Sequence, residues 1–203
     1  MPKQVDHHER RTLLADALLR VAARDGLMDV SLRHVATEAG VTAGMVQHYF
    51  RTKDEMMIFA LDVVAARVQA RLADDPDPRR LVRSLLVQLL PLDADRELEG
   101  RVAVAYHAYA ATRPDVAARL EQDTRGMRAA VADRIRAVGH AGPLEPDIAA
   151  TGLLALVEGL AVHVLGGHLD GDTALATLDG HLDVAFGTPA STPPPAAPSG
   201  SRA

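Results

Sequence analysis

The chain has no cysteine and no tryptophan, and only three Phe and three Tyr among its 203 residues. Without cysteine it can hold neither a disulfide nor a thiolate zinc site, and nothing in it argues for secretion. Scarce aromatics among many Ala, Leu and Val disfavour a sheet-rich domain and suit packed helices. No apolar segment follows the polar, charged first residues, so no signal peptide is expected. The longest apolar run, Leu153 to Leu165, is broken by Glu158 and His163 and is too short for a bilayer. No HExxH pattern, nucleophile elbow or phosphate-binding glycine loop occurs, and the histidines show no tight chelating spacing. Neither an enzyme nor a metal or cofactor site is therefore expected, and the expected location is cytoplasmic.

The net charge of -5 looks wrong for a nucleic-acid binder until it is divided. Residues 1–53 hold eight Lys or Arg against six Asp or Glu, whereas residues 54–203 hold fourteen against twenty-one. A slightly basic head on an acidic body is compatible with DNA contact confined to one small surface.

Helical periodicity organises that head. Leu14, Leu18, Val21 and Ala22 form an apolar stripe, and Gly26 supplies a stop. Ser31 can cap a second helix whose inner face is Leu32, Val35, Ala36 and Ala39. Gly40 permits a turn, and Thr42 can cap a short third helix. In that helix Val46 and Phe50, four apart, face the core and leave Ala43, Gln47 and His48 towards solvent or DNA. Thr52 and Glu55 have capping-box spacing for a fourth helix, with Met56, Phe59, Ala60 and Val63 as its first buried stripe.

This is the physics of a helix-turn-helix. The major groove, about 12 Å wide, admits a short helix and offers it the base edges. Ala43 and Gly44 let the backbone come close, and Gln47 and His48 can bond a base edge or a phosphate. Tyr49 can donate to a phosphate, Lys53 adds charge, and Arg10 and Arg11, at or before the start of the first helix, can reach flanking backbone. The residues alone also allow plainer roles. Tyr49 can be a half-buried packing residue, His48 a surface histidine, Gln47 a helix former, and the head a surface for another protein.

The string Gly40-Val41-Thr42-Ala43-Gly44-Met45-Val46-Gln47-His48-Tyr49-Phe50-Arg51-Thr52-Lys53-Asp54-Glu55 resembles the signature of TetR-family transcriptional regulators. The similarity spans roughly residues 10–60, with Tyr49-Phe50-x-x-Lys53 its specific part. The resemblance implies a homodimeric repressor whose N-terminal domains bind a palindromic operator on double-stranded DNA and whose C-terminal domains hold a small organic inducer. Within that pattern Thr42, Tyr49 and Lys53 match phosphate contacts, and Ala43, Gln47 and His48 fall at or beside base-reading positions. The expected DNA-binding set is Arg10, Arg11, Ser31, Thr42, Ala43, Gly44, Gln47, His48, Tyr49 and Lys53. Many relatives carry Tyr where this chain has Gln47. The run His48-Tyr49-Phe50-Arg51 is similar to the subgroup of choline-responsive BetI-type repressors.

The fold class expected is all-α, a three-helix helix-turn-helix head (1–52) on a larger helical ligand-binding and dimerisation body (53–187). Punctuation predicts body helices near 53–72, 79–90, 95–112, 115–138, from Pro146 to about 165 or 169, and 172–186. Residues 188–203, rich in Pro, Ala and Ser, read as a disordered tail.

Leu153, Leu156, Val157, Leu160 and Val164 on one helix, and Leu175, Leu178, Leu182 and Phe186 on the next, make two broad apolar faces. They predict a dimer seam through the last two helices, although an intramolecular core can absorb the same stripes. Candidate ligand residues are Tyr106, His107, Tyr109, Met127, Glu158 and His163. Glu158 interrupts an apolar stretch, so it needs a partner, water or a cationic ligand; a structural ion pair or interface hydrogen bond serves equally. Tyr106 and Tyr109 can add ring faces for a quaternary ammonium or protonated amine.

Overall fold

A computed structural model describes residues 2–28, 30–72, 74–139 and 142–187; the expected tail, 188–203, lies outside the described residues. Among the described residues there are nine α-helices and no strand: α1 (Pro2–Asp25), α2 (Leu32–Ala39), α3 (Ala43–Tyr49), α4 (Lys53–Arg71), α5 (Pro78–Val87), α6 (Ala94–Ala110), α7 (Pro114–Ala137), α8 (Pro146–Leu165) and α9 (Gly171–Phe186).

The helix starts follow local chemistry. Side-chain oxygens of Ser31, Thr42, Thr52, Asp77, Asp93 and Asp170 each accept from a first-turn amide, satisfying donors that the helix itself cannot. Proline opens α5, α7 and α8, where its missing N–H costs nothing. Gly40 ends α2 at φ +67°, a left-handed conformation that lets the chain reverse into α3. The first helix starts earlier than the sequence predicts. Arg10 and Arg11 lie within α1 and not at its entry, because no breaker stands between Pro2 and the Leu14 stripe.

Two apolar clusters hold the protein together. The first joins the inner faces of α1, α2 and α3 and the start of α4 to Val102, Tyr106, Tyr109 and Ala110 of α6. The second joins α5, the later half of α7, α8 and α9. Between them, Arg71 at the end of α4 grips the nearly buried Glu99 of α6 with two hydrogen bonds of 3.1 and 2.5 Å.

The second cluster corrects the expected dimer seam. Leu153, Val157, Leu160, Leu178, Leu182 and Phe186 are buried within the protomer, and Leu156, Val164 and Leu175 pack against them. Those stripes close the chain's own core because α5 and α7 lie across them. A different face of the same helices stays open: Ile148, Gly152, Ala155, Gly159 and Val162 on α8, with Ala176, Gly180 and Val184 on α9. This face is small and uncharged, and a Cβ placed on any of its three glycines meets nothing within 4 Å. The expectation that the apolar run is too short for a bilayer also changes in detail. It belongs to the 20-residue α8, with mean hydropathy 2.0, which passes on length and composition, as a core helix also can.

Candidate nucleic-acid interface and ligand cleft

The third helix is anchored from below and bare above. Val46 and Phe50 are both 0% exposed, while Gln47 and His48 on the opposite side are exposed. Thr42 fixes the start of the helix by accepting from the Met45 amide at 3.2 Å. Gly44 is exposed, and a Cβ there would meet only the Thr42 hydroxyl at 3.9 Å. Among the described residues, no steric contact requires glycine at that position. Ala43 is half-buried and packs on the first cluster, so its contribution to the outer face is smaller than expected. Tyr49 is also half-buried, between the rings of His7 and His48 at centroid distances of 4.9 and 5.1 Å.

The basic residues divide. Arg10 lies exposed on α1. The Arg11 guanidinium lies 4.6 Å from the Phe50 ring and 4.4 Å from the Phe59 ring and pairs with Glu55 at 3.4 Å. It clamps α1 onto the α3–α4 corner, in place of the expected reach to flanking DNA. Ser31 is exposed and accepts from the His34 amide at 3.3 Å. Lys53 donates to the carbonyl of Leu27 and, at 3.2 Å, to that of Met28, with its ammonium 5.0 Å from the Tyr109 ring. Its ammonium is therefore turned to the α1–α2 connection and the body, and not to the outer face of α3.

The ligand candidates do not gather in one place. His107 and Glu158 line an open cleft of about 440 Å³ with Ala110, Ala111, Ala117, Leu120, Glu121, Thr124, Arg125 and Arg128. Arg125 is paired with Glu121. Glu158 is exposed at this wall, so it avoids the burial that its apolar neighbours in sequence suggest. Tyr106 and Tyr109 point the other way, into the first cluster. Burial pushes the pKa of the Tyr106 hydroxyl above its ordinary value, and the nearby Asp123 charge adds to the shift. Among the described residues that hydroxyl finds no hydrogen-bond partner, and the gap lined by Leu18, Leu19, Met57 and Tyr106 itself has no room for a water. Met127 packs on the second cluster, and His163 is exposed, its ring 5.9 Å from that of His168.

Tyr109 has a different use from the one expected. It is 2% exposed, and its hydroxyl donates to Asp54 Oδ1 at 2.8 Å, in the first turn of α4. Burial, then the hydrogen bond to this acceptor, pushes its pKa above the ordinary value. Arg113 approaches the same ring at 4.9 Å. One helical segment thus shows the cleft His107, Ala110 and Ala111 and shows the head Tyr106 and Tyr109. Asp54, Arg113 and His7 were not singled out by sequence reasoning. Only Asp54 had a local signal, an acidic side chain in a helix's first turn.

Comparison with known proteins bears on both halves. Residues 14–58 match the model of bacterial regulatory proteins of the tetR family, and residues 78–187 match that of the BetI-type transcriptional repressor C-terminal region. The chain is 35% identical over 173 residues to the HTH-type transcriptional regulator PksA of Bacillus subtilis, covering 81% of this chain and 83% of that one. It is 29% identical to the regulator BetI of Burkholderia ambifaria over 91% of this chain and 97% of the other. Among solved structures, a transcriptional regulator from Rhodococcus sp. RHA1 is 37% identical, with TM-score 0.71 over 89% of this chain and 94% of its own. A regulator from Saccharomonospora viridis, solved in complex with choline, shares the fold at 24% identity and TM-score 0.74, covering 86% of this chain and 96% of that one.

Proposed function

The chain belongs to the TetR family of bacterial regulatory proteins, with a BetI-type C-terminal region, and on that premise we propose a ligand-responsive repressor that grips a palindromic operator as a homodimer. As a member it is a DNA-binding transcriptional regulator and not an enzyme. Operator binding requires the compartment that holds the chromosome, in keeping with the expected cytoplasmic location.

One observation carries the DNA half of the reading: a short helix whose inner side chains are fully buried presents Gln47 and His48 bare beside an unexplained glycine. Gln47 reads a base edge, and Ser31, Thr42 and Tyr49 hold phosphates around it. Arg10 adds flanking charge. Lys53 helps by fixing the α1–α2 connection against α4, and it reaches a phosphate only if that grip on the carbonyls is exchanged. The homodimer forms through α8 and α9, on the face of Ile148, Gly152, Ala155, Gly159, Val162 and Val184. Two-fold symmetry then sets the recognition helices about one DNA turn, roughly 34 Å, apart.

The inducer is a small organic molecule bound against α6, with Glu158 facing a cationic group. The exposed carboxylate at the wall of the 440 Å³ cleft supports this reading. A relative of the same fold that binds choline is consistent with it. Occupancy shifts the last turns of α6, Tyr109 carries the shift to Asp54, and α4 changes the separation of the two heads. Coupling requires the ligand to bind the DNA-incompetent arrangement more tightly, since equal affinity moves no population.

Selection of preferred duplexes from a random pool tests the operator reading. A palindrome is expected, and Gln47→Ala is expected to change the preferred bases more than overall affinity. A pool that yields no preferred sequence defeats the reading. For the inducer, Glu158→Gln is expected to weaken the response to quaternary ammonium compounds at least tenfold with operator affinity intact. An unaltered response assigns Glu158 to structure.

A further inference from the structure

The first turns of α1 run beside the end of the recognition helix, and what they bring there is imidazole. The His7 ring lies 4.9 Å from Tyr49, tilted by 56°, and His48 meets the same tyrosine at 5.1 Å. His7 and His48 are both exposed, while Tyr49 between them is half-buried. A three-ring cluster therefore sits at the edge of the surface proposed to read DNA, with two histidines in contact with one tyrosine. His8, the next residue, is engaged differently, with its ring 5.8 Å from Phe59 on α4.

On α1 itself stand Glu9, Arg10 and Arg11, and Arg11 is paired with Glu55 of α4. Glu55 also accepts from the Arg51 amide at 3.0 Å, so that carboxylate is occupied at the α3–α4 corner. The residues that α3 presents on this side are His48 and Tyr49, and neither is anionic at neutral pH.

We propose that His7 is a further DNA-contacting residue: with His48 it flanks Tyr49 and, as imidazolium, binds phosphodiester oxygens beside the base pairs read by α3. The proposal rests on the operator reading above and adds to it a proton taken up on binding. Phosphate stabilises the charged ring, so operator affinity rises as the pH falls. For any imidazole that titrates about one unit higher in the complex than an ordinary value near 6.5, affinity rises about sixfold from pH 8 to pH 6. Two such rings give about thirty-six-fold.

The experiment measures operator affinity of the full chain at pH 8 and pH 6, at constant ionic strength, on the duplex recovered by selection. His7→Phe keeps a ring on Tyr49 and removes the proton, and its pH response is expected to fall to about a sixth of the parent's. His7→Lys carries a fixed charge and is expected to bind at pH 8 more tightly than the parent while losing the same share of pH response. His7→Phe with the parent's pH response overturns the proposal, as does a loss of affinity equal at both pH values, which marks a packing role. A parent that binds operator with no pH response overturns the proposal alone. A parent that binds no duplex at either pH overturns the operator reading together with it.

Discussion

The two apolar clusters divide the molecule at a different place from the order of the chain. The first contains the reading head, the start of α4, the inner face of α6 and Val116 of α7; the second contains body helices alone. Their polar ties differ in the same sense. Around the first, α4 is fastened to α1 by Arg67 and Asp16, to α7 by Asp62 and Arg119, and to α6 by Tyr109–Asp54 and Arg71–Glu99. Around the second, α5 is fastened to α9 by Arg79–Asp183 and Arg83–Asp179. A boundary at 52/53 remains the proposed division by sequence, yet packing runs across it through α6. A head that shares its core with one wall of the ligand cleft is placed to respond to that cleft. The cluster of α5, α7, α8 and α9 instead carries the open α8–α9 face on which dimerisation is proposed.

The largest effect separates the clusters by force. Phe50→Ala removes a ring that is fully buried under α3 and stacked by Arg11, and a loss of about 3–5 kcal/mol is expected. Leu182→Ala in the second cluster is expected to cost a similar amount, about 2–5 kcal/mol. What distinguishes them is which amides open. In hydrogen exchange, Phe50→Ala should loosen α1 to α4 and also α6, leaving α8 and α9 protected. Exchange confined to residues before 53 would break the comparison, because α6 would then belong energetically to the body.

Much of this was legible in the sequence. Caps at Ser31, Thr42 and Thr52, the prolines at 78, 114 and 146 and the stripes of the head are local signals, and the helices follow them within a few residues. The resemblance to TetR-family regulators likewise rested on one contiguous string. Which stripe meets which partner was not legible. The leucines of α8 and α9 have the same periodicity whether they face another subunit or α5 and α7. Tyr109 looked like a pocket aromatic because it and Tyr106 offer ring faces to a cation; only the packing of α6 turns both rings towards the head. Lys53 looked like a phosphate ligand because a lysine's reach is invisible in sequence. His7 gave no signal, since its meaning comes from a helix end 42 positions away.

A smaller effect sharpens the role of α6. Tyr109→Phe keeps the buried ring and deletes only the hydrogen bond to Asp54, at an expected cost of about 1–2 kcal/mol in stability. If that bond transmits occupancy of the cleft, the variant should still bind operator and ligand separately. The ligand should then weaken operator binding less than it does in the parent. Affinities measured with each partner absent and present give the coupling directly. A stability loss with coupling unchanged would reduce Tyr109 to a strut.

The smallest effect belongs to the second cluster and has a pH signature. Arg83 donates to Asp179 at 2.6 and 2.9 Å, and those hydrogen bonds, followed by its charge, hold the Asp179 carboxyl below the ordinary value of 3.8. A lowered folded-state value means that the contribution is complete above the unfolded value and disappears as pH falls through the folded one. With side chains 39% and 37% exposed, solvent screens the pair, and Asp179→Asn is expected to cost less than about 1 kcal/mol at pH 7. Denaturation curves of parent and variant should therefore stay apart above about pH 4 and converge as the pH falls below 3.8 through the lowered folded value, and should also converge at pH 7 in 1 M salt. Curves that stay parallel under acid would show that Asp179 acts through packing. The Arg71–Glu99 pair supplies the contrast. Only 9% of the Glu99 side chain is exposed, so salt reaches it poorly. Replacing Arg71 with Met should leave a deficit that 1 M salt does not erase, because an unpaired carboxylate stays lodged where α4 meets α6.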